Sequence, residues 1–331
     1  MNPAVSVVVP AYNQARLLAR LLDSLTTLVN APSFEIIIVD DASPDATGPV
    51  VAAWIAAHPE ISCRYFRQDR NQGPGAARNR GVEEAQGEFV AFTDTDCVVG
   101  EHWLSALIAG FTSDAIAGVG GPVAPYNAES LFALYNTVNS SLQPIVSEHF
   151  PIPYLVTCNC VYRRDVLREA GGFPSDIPTP GGEDVAASIA LYKRGYRFAF
   201  APDARVRHDY RDTWKSFRRT WKNYGFGCGL VARRMLSPAE RNPEWQQWEG
   251  DNHWSVLSIR PTVTGVRSLF KDLRWFWGRT AGHNLEVPER AQLVLVRAVE
   301  RICYYEGWKC AARRCHAAHI MDPSDRSDGS D

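Results

Sequence analysis

The stretch VSVVVP, residues 5–10, is a nearly continuous apolar run rich in β-branched residues, and it ends at Pro10. Such a run is typical of a strand that is buried on both faces of a sheet. Leucines follow at positions 17, 18, 21, 22 and 25, a spacing that gives a helix one apolar face. We expect Asn13 to cap that helix. The chain therefore begins as a buried strand followed by an amphipathic helix.

The same alternation continues to about residue 115. Further strands are predicted at residues 34–41, about 63–68 and 87–94, and helices are predicted between them, the last near Gly75–Ala85. Strands that alternate with helices in this way predict an α/β fold with a mostly parallel sheet.

Beyond residue 115 the pattern is less regular. Strands are predicted within residues 115–125, 154–173 and 197–210, and a glycine loop opens a helix within 180–196. After about residue 212 the pattern is helical, with an amphipathic helix at 288–320, but we expect the glycines of YGFGCG, residues 224–229, to break any helix there. The polar tail, residues 321–331, is expected to be disordered.

The composition is that of a soluble globular protein, with 45% hydrophobic and 22% charged residues among 331. A net charge of −2 argues against a generally basic nucleic-acid binder. No stretch approaches the roughly 18 consecutive apolar residues of a membrane span, and the N-terminus reads as a strand rather than a signal peptide. Eight irregularly spaced cysteines favour reduced thiols and a cytoplasmic location.

Polar side chains follow several of the predicted strands. In open α/β sheets, ligands bind beyond the carboxyl ends of the strands, so these side chains predict one shared pocket. They are Tyr12, Asp40, Asp41, Arg78, Asp94 and Asp96.

Asp94 and Asp96, in the stretch FTDTDC, are separated by one residue. In an extended chain both carboxylates would point to the same side, and a hard divalent cation such as Mg²⁺ or Mn²⁺ would remove their repulsion. Two solvated loop acids, or a helix cap and a surface charge, are the alternatives. The apolar strand before the pair and the acids at residues 40–41 favour a metal site.

Two further segments carry groups suited to a nucleotide. NQGPGAARNRG, residues 71–81, precedes a helix with glycines and with Arg78 and Arg80, which can face a diphosphate or a base. The acids of VDDASPD could end a dinucleotide-binding strand, but the required G-x-G-x-x-G is replaced by PAYNQA after the first strand. An aromatic ring and acids at these places suit a base and a ribose instead.

GGEDVA, residues 181–186, places Glu183 and Asp184 at a helix N-terminus. The helix dipole stabilises a carboxylate there, and one of the pair could act as a general base. His208, after another predicted strand, could be a metal ligand or an ordinary core or surface histidine.

Together and in this order, these segments resemble the GT-A family 2 glycosyltransferases, which are mostly inverting and use nucleotide-sugars. The resemblance rests on VSVVVPAYNQ, IIIVDDASPDAT, NQGPGAARNRG, FVAFTDTDC, NCVYRRDVLREAGGF, GGEDVA and VRH, and spans residues 4–210. It implies a catalytic domain at 1–210, with about 1–115 for the nucleotide-sugar and 116–210 for the acceptor, and a helical extension at 211–320.

The resemblance assigns Pro10, Tyr12 and Asp41 to the nucleotide base, with Asp40 close by and Arg78 near the base or phosphates. It implies a divalent cation, Mn²⁺ or Mg²⁺, as cofactor.

For the chemistry, the resemblance makes Asp94 and Asp96 the D-x-D metal pair, His208 a further metal ligand, and Asp184 the catalytic base with Glu183 beside it. Asn159, Gly171 and Gly172 match the acceptor-side segment.

The implied activity is inverting transfer of one sugar to an acceptor hydroxyl, in cell-envelope polysaccharide or glycolipid synthesis. The processive members' Q-x-x-R-W motif is only partly echoed by SFRRTW, residues 216–221. The implied partners are a nucleotide-diphosphate sugar and a saccharide or lipid-linked acceptor, with no nucleic acid.

An aspartate-nucleophile phosphatase and a non-catalytic nucleotide-sugar-binding protein are the competing classes. The phosphatase would need its acid pair after the first strand, and a binding protein would not need the carboxylates of residues 183–184.

Residues 205–234 hold nine Lys and Arg against two Asp, and aromatic residues are interleaved among them, including Trp214, Phe217, Trp221, Tyr224 and Phe226. Such a stretch could lie peripherally on the inner face of an anionic membrane or pack on the catalytic domain. The sequence leaves both readings open.

Overall fold

The computed structural model describes residues 2–143, 153–177, 179–237, 263–283 and 285–321. The first part of the chain alternates strand and helix as predicted. Its elements are β1 (Val5–Ala11), α1 (Ala15–Leu25), β2 (Phe34–Asp40), α2 (Thr47–Ala57), β3 (Cys63–Arg67), α3 (Pro74–Glu84) and β4 (Phe89–Phe92).

The rest of the chain adds shorter strands and then three longer helices. The middle elements are β5 (Cys97–Val99), α4 (Trp103–Ala109), β6 (Ile116–Gly120), β7 (Val123–Pro125), α5 (Leu131–Asn139), β8 (Cys160–Arg163), α6 (Arg164–Glu169), α7 (Glu183–Lys193), β9 (Arg197–Phe200) and β10 (Val206–His208). The C-terminal helices are α8 (Trp214–Met235), α9 (Val263–Thr280) and α10 (Val287–Met321). The tail predicted to be disordered lies, from residue 322 onward, outside the described residues.

The main sheet has seven strands in the order β3-β2-β1-β4-β8-β6-β9. All neighbours pair in parallel except β8, which is antiparallel to both β4 and β6. Alternate side chains of β1 face opposite layers: Val7 and Val9 pack with the leucines of α1, while Val8 packs with Ala77 of α3. The predicted α/β fold with a mostly parallel sheet is confirmed.

The start of α1 differs from the prediction. Asn13 does not cap the helix, because it has a φ of 54° and α1 begins two residues later. The N–H group of Ala15 is instead satisfied by the Asp45 carboxylate at 2.9 Å, and the N–H of Asn13 donates to the Ser43 hydroxyl at 3.0 Å. The cap therefore comes from the loop after β2, a tertiary contact that local spacing does not reveal.

A second sheet, β5-β10-β7, brings distant segments together beyond β4. β10 pairs antiparallel with β5, so that His208 lies opposite Cys97. The N–H of Asp209 donates to the carbonyl of Asp96 at 2.7 Å and extends this pairing. The arrangement fixes His208 beside the loop that follows β4.

α8 runs without a break through YGFGCG, so the prediction of an interruption was wrong. The glycines allow backbone contact on two sides of the helix. A Cβ at Gly227 would lie 1.6 Å from the carbonyl oxygen of Gly181, and one at Gly225 would lie 1.8 Å from that of Tyr304. The cost of glycine in a helix is offset here by packing against the turn before α7 and against α10.

Most aromatic side chains of the basic stretch pack inward. Phe217 and Trp221 are 4% and 7% exposed and join a core cluster with Tyr135 of α5 and Phe276 of α9. Trp214 remains 42% exposed. This packing accounts for the aromatic residues without a membrane. Among the described residues, no helix is both long and apolar enough to cross a bilayer.

A buried arginine fastens the two C-terminal helices to α5. Arg297 of α10 donates to Asp272 of α9 at 2.8 Å and to Asn139 of α5 at 2.9 Å, and it pairs with Glu300 at 3.1 Å. Paired burial of this kind is required for a charge held away from water. The helices α5, α9 and α10 are therefore linked by one guanidinium group.

The Gly227→Ala variant tests the backbone contact between α8 and the turn before α7. We expect it to lower the free energy of unfolding by about 1–3 kcal/mol, because the added methyl group forces the two segments apart. The change is measured by urea denaturation. Gly278→Ala is the control, since a Cβ there meets nothing within 4 Å. Equal stability of the two variants would contradict the proposed packing.

Candidate functional site

The carboxyl ends of β1, β2 and β4 open into a cleft of about 450 Å³, which we call the strand-end cleft. Seven of the residues singled out from the sequence line it. They are Pro10, Tyr12, Asp41, Arg78, Asp94, Asp96 and His208. The opposite wall comes from α5, the turn before α7 and the start of α8. Its residues are Asn136, Leu142, Pro180, Tyr210, Arg211, Phe217, Arg219, Thr220, Trp221, Asn223 and Tyr224.

Asp41 orders the glycine loop at one end of the cleft. Its carboxylate accepts hydrogen bonds from the backbone N–H groups of Gln72 and Gly73 at 2.7 and 2.8 Å, and from the Gln68 amide at 2.6 Å. Burial raises the pKa of the Asp41 carboxyl above its ordinary value. Tyr12, in the same cleft wall, is 48% exposed and presents a free ring face.

Asp40 does not line the cleft. Its side chain is fully buried and accepts from the N–H of Ser43 at 2.7 Å, from the Tyr65 hydroxyl, and from Arg67 at 2.6 Å. Burial alone would raise the pKa of this carboxyl, but these donors lower it below its ordinary value. Asp40, at the end of β2, therefore links this strand to β3 through Tyr65 and Arg67. It also links β2 to the loop that follows it, through Ser43.

Arg78 joins the two acidic segments of the sequence. Its guanidinium donates to Asp94 at 2.8 Å and to Glu183 at 2.9 Å, and the residue is 3% exposed. Although burial opposes a charge, the two carboxylates raise the pKa of Arg78 above its ordinary value. Its Nε atom is buried and has no hydrogen-bond partner among the described residues. The loop after β4 and the start of α7 thus share one cation.

Arg80 does not join this site. It forms an ion pair with Glu84 on the same helix at 2.6 Å and is about half-exposed. The expectation that Arg80 faces the ligand with Arg78 was wrong. Arg80 lies two residues after Arg78 in α3, and residues with that spacing point to different faces of a helix.

The chain is not extended between Asp94 and Asp96, since β4 ends at Phe92 and a turn follows. Asp94 therefore pairs with Arg78, whereas Asp96 faces His208, whose Nε2 atom lies 3.4 Å from the Asp96 Oδ1 atom. Asp96 Oδ1 is buried without a hydrogen-bond partner among the described residues. Adjacent ligands of an octahedral Mg²⁺ with bonds near 2.1 Å are about 3 Å apart, so this pair fits a metal site.

Cys97 lies in the same cluster, with ligand atoms of all three residues within 4.8 Å. Burial raises the pKa of its thiol well above the ordinary value, so the sulfur stays protonated. Mg²⁺ and Mn²⁺ prefer oxygen ligands. Asp96 and His208 are the members of the cluster suited to such an ion.

Gln14 is a site residue that the sequence did not reveal. Its amide donates to Asp96 at 3.4 Å and accepts a short hydrogen bond from the Thr95 hydroxyl. It thereby ties the loop after β1 to the loop after β4. Its position just after the first strand was the only available signal.

The two acids of GGEDVA have different surroundings. Glu183 is 4% exposed and held by Arg78 and by the N–H of Gly181. Asp184 accepts only from the N–H of Val185, at 2.8 Å, among the described residues. Burial and the neighbouring Glu183 raise the pKa of Asp184 to about 7. Asp184 is therefore the carboxyl of the pair that can exchange a proton near neutral pH.

Asp184 does not itself line the cleft, although Pro180 of the preceding turn does. α8 packs over this turn: a Cβ at Gly181 would lie 2.6 Å from the Tyr224 ring, and one at Gly182 would lie 2.6 Å from the backbone of Gly227. α8 therefore lies close over the turn that precedes Asp184, while Asp184 itself is only partly buried.

Asn159 and the glycine pair lie outside the cleft. Asn159 is fully buried, accepts from the Trp103 indole at 2.8 Å and donates to the carbonyls of Pro122 and Ala204 at 2.9 and 2.7 Å. Gly171 and Gly172, with φ of 97° and 66°, end α6. None of the three lines the strand-end cleft, so their predicted place on the acceptor side stays a prediction.

Replacing Arg78 with methionine tests its bridging role. We expect a loss of about 3–5 kcal/mol in the free energy of unfolding, because removal of the cation leaves Glu183 buried and uncompensated. The control is Arg80→Met, which breaks an exposed ion pair and should cost less than about 1 kcal/mol. Denaturant unfolding of both variants measures the difference. Similar losses would show that Arg78 does not carry the linkage.

Comparison with known proteins adds to this geometry. A family model described as "Glycosyl transferase family 2" matches residues 6–171, and one described as "Glycosyl transferase family group 2" matches residues 89–298. A pre-mycofactocin glycosyltransferase of Mycobacterium tuberculosis is 31% identical over 318 residues. That alignment covers 94% of this chain, which spans 64% of the length of the relative.

Solved structures share the fold. Mannosyltransferase PcManGT from Pyrobaculum calidifontis, in complex with GDP-Man and Mn²⁺, superposes with a TM-score of 0.61 at 21% identity, covering 99% of this chain and 89% of that one. Residues 1–349 of S. aureus TarS, in complex with UDP-GlcNAc, superpose with a TM-score of 0.51 at 17% identity, covering 95% and 92%. The fold is that of the GT-A glycosyltransferases. The chain belongs to glycosyltransferase family 2.

Proposed function

We propose that this enzyme transfers a single sugar, with inversion, from a nucleotide-diphosphate sugar to an acceptor hydroxyl in a metal-dependent reaction. The observation that carries the proposal is the convergence of Asp41, Arg78 and the Asp96–His208 pair on one cleft. The structural neighbours described above contain GDP-Man with Mn²⁺ and UDP-GlcNAc, which supports a nucleotide-sugar donor of this class.

The nucleotide lies, in this proposal, along the loops after β1 and β2. Pro10 and the exposed ring of Tyr12 border the base, and Asp41 accepts hydrogen bonds from it with lone pairs that the glycine loop leaves free. Arg78 faces the phosphates with its unpartnered Nε–H group. Asp40 supports this region from beneath and does not touch the ligand.

Asp94, Asp96 and His208 are the residues that would hold the divalent cation. A bound Mg²⁺ or Mn²⁺ supplies positive charge that stabilises the departing diphosphate. The unpartnered Asp96 Oδ1 atom and its 3.4 Å separation from His208 support this assignment. Asp94 contributes the oxygen that it does not give to Arg78.

Asp184 is the proposed base. With a pKa of about 7, its carboxylate can take the proton of the acceptor hydroxyl as that oxygen attacks the anomeric carbon opposite the diphosphate. One such displacement inverts the anomeric centre and needs no second carboxylate. Glu183 is held by Arg78 and fixes the position of the turn, and it takes no part in the proton transfer.

We place the acceptor among the saccharides or lipid-linked saccharides of the cell envelope, with peripheral membrane contact as part of the same proposal. Exposed Trp214 and the basic residues around it are compatible with such contact. A phosphatase with an aspartyl nucleophile is not favoured, since Asp94 is ion-paired to Arg78. Family membership also argues against a non-catalytic binding protein.

The pH dependence of transfer tests the assignment of Asp184. The base acts only when unprotonated, so the transfer rate should rise with pH and reach half of its maximum near pH 7. Asp184→Asn should lower kcat by about 10²–10⁴-fold while nucleotide binding persists. Asp165→Asn, at an exposed acid, is the control. A fully active Asp184→Asn variant would refute the assignment.

Calorimetric titration with UDP and GDP tests the metal site. We expect Mn²⁺ to strengthen binding of at least one nucleotide, and Asp96→Asn or His208→Ala to reduce that gain by about tenfold or more. His102→Ala, at an exposed histidine, should leave the gain unchanged. Identical binding by wild-type protein in Mn²⁺ and in EDTA would contradict metal dependence.

A further inference from the structure

The two walls of the strand-end cleft differ in how their charges are balanced. On the wall formed by the strand ends, Arg78 is neutralised by Asp94 and Glu183, and Asp96 faces His208. On the opposite wall, Arg211 and Arg219 line the cleft with no ion pair or hydrogen bond to any described residue.

The acids nearest to Arg211 in sequence are already engaged. Asp209 pairs with Arg20 of α1 at 2.7 Å, and Asp212 accepts from the hydroxyl of Ser130 at 2.5 Å. Arg20 is held in turn over the Tyr126 ring, 3.9 Å from its centre. Asp209 is therefore neutralised by Arg20, while Asp212 forms its hydrogen bond to Ser130 and has no ion pair with Arg211 or Arg219 among the described residues.

The same wall is rich in aromatic side chains. Phe217 and Trp221 of α8 line the cleft but belong mainly to the core, whereas Tyr224 of α8 and Tyr210 beside Arg211 are only partly buried. Aromatic rings stack on planar groups and on the apolar faces of sugars. The guanidinium group of arginine can bind a phosphate or carboxylate with two parallel hydrogen bonds. An anionic saccharide offers both kinds of contact at once.

α8 connects this wall to the proposed base. Tyr224 covers Gly181 and Gly227 touches Gly182, both in the turn that leads to Asp184, while Arg219 lies about one and a half turns earlier on the same helix. A molecule bound along α8 can therefore contact Arg219 at one end and approach Asp184 at the other. In the proposed placement, the nucleotide lies along the strand-end wall and leaves this side for a second substrate.

We propose that Arg211 and Arg219 form an anion subsite for the acceptor, which carries a phosphate or carboxylate group close to its reacting hydroxyl. The proposal rests on the proposed transferase function and adds the chemical class of the second substrate. The two arginines select the acceptor by charge, and the partly buried Tyr210 and Tyr224 contact its sugar ring.

Calorimetry with three probes tests the subsite in the presence of Mn²⁺ and a saturating nucleoside diphosphate. The probes are methyl glucoside, its 6-phosphate and methyl glucuronoside. We expect at least one anionic probe to bind about tenfold or more tightly than the neutral glucoside. Arg211→Ala and Arg219→Ala should abolish that preference, whereas Arg205→Ala, at an exposed arginine outside the cleft, should keep it.

A donor role for the same arginines is tested by comparing nucleoside diphosphate with monophosphate. If Arg219→Ala weakens binding of the nucleoside diphosphate by tenfold but leaves binding of the monophosphate unchanged, the arginines contact the donor. That result overturns the proposal. Equal binding of neutral and anionic probes by the wild-type protein overturns it as well. Failure of the wild-type protein to bind any nucleoside diphosphate would instead refute the proposed function, so the two outcomes are distinct.

Discussion

The ion pairs of Arg78 with Asp94 and Glu183 are the constraint on which the site depends. They join the loop after β4 to the start of α7, segments about ninety residues apart in sequence. Without the cation, Glu183 would be a buried and unpaired acid, and the turn before Asp184 would lose its anchor. Burial and the neighbouring Glu183 raise the pKa of Asp184 to about 7, although the charge of Arg78 opposes this rise.

The C-terminal helices complete this site rather than merely follow it. α8 places Trp221, Tyr224 and Arg219 in the cleft, and its glycines let it touch the turn before α7. Arg297 then holds α9 and α10 to α5. α8 thus supplies much of the second wall of the cleft and packs against the turn before the proposed base.

The sequence predicted the sheet well because each buried strand is a local apolar run, and residues after parallel strands meet at one edge. It therefore also predicted that Tyr12, Asp41, Arg78 and Asp96 would lie together. The sequence-based prediction failed where contacts between distant segments determine the local structure. The glycines of α8 indicate a break locally but are required by contact with Gly181, and the start of α1 is satisfied by Asp45 from another loop. Likewise, only the folded structure shows that Gln14 and several residues of α8 line the cleft.

Anomalous diffraction at the manganese edge, from crystals grown with Mn²⁺ and a nucleoside diphosphate, tests the central claim most directly. The account predicts a single strong peak at bonding distance from Asp96 and His208, with the diphosphate on the side of Arg78. A nucleotide bound in the cleft with manganese elsewhere, or with no manganese peak, would contradict it.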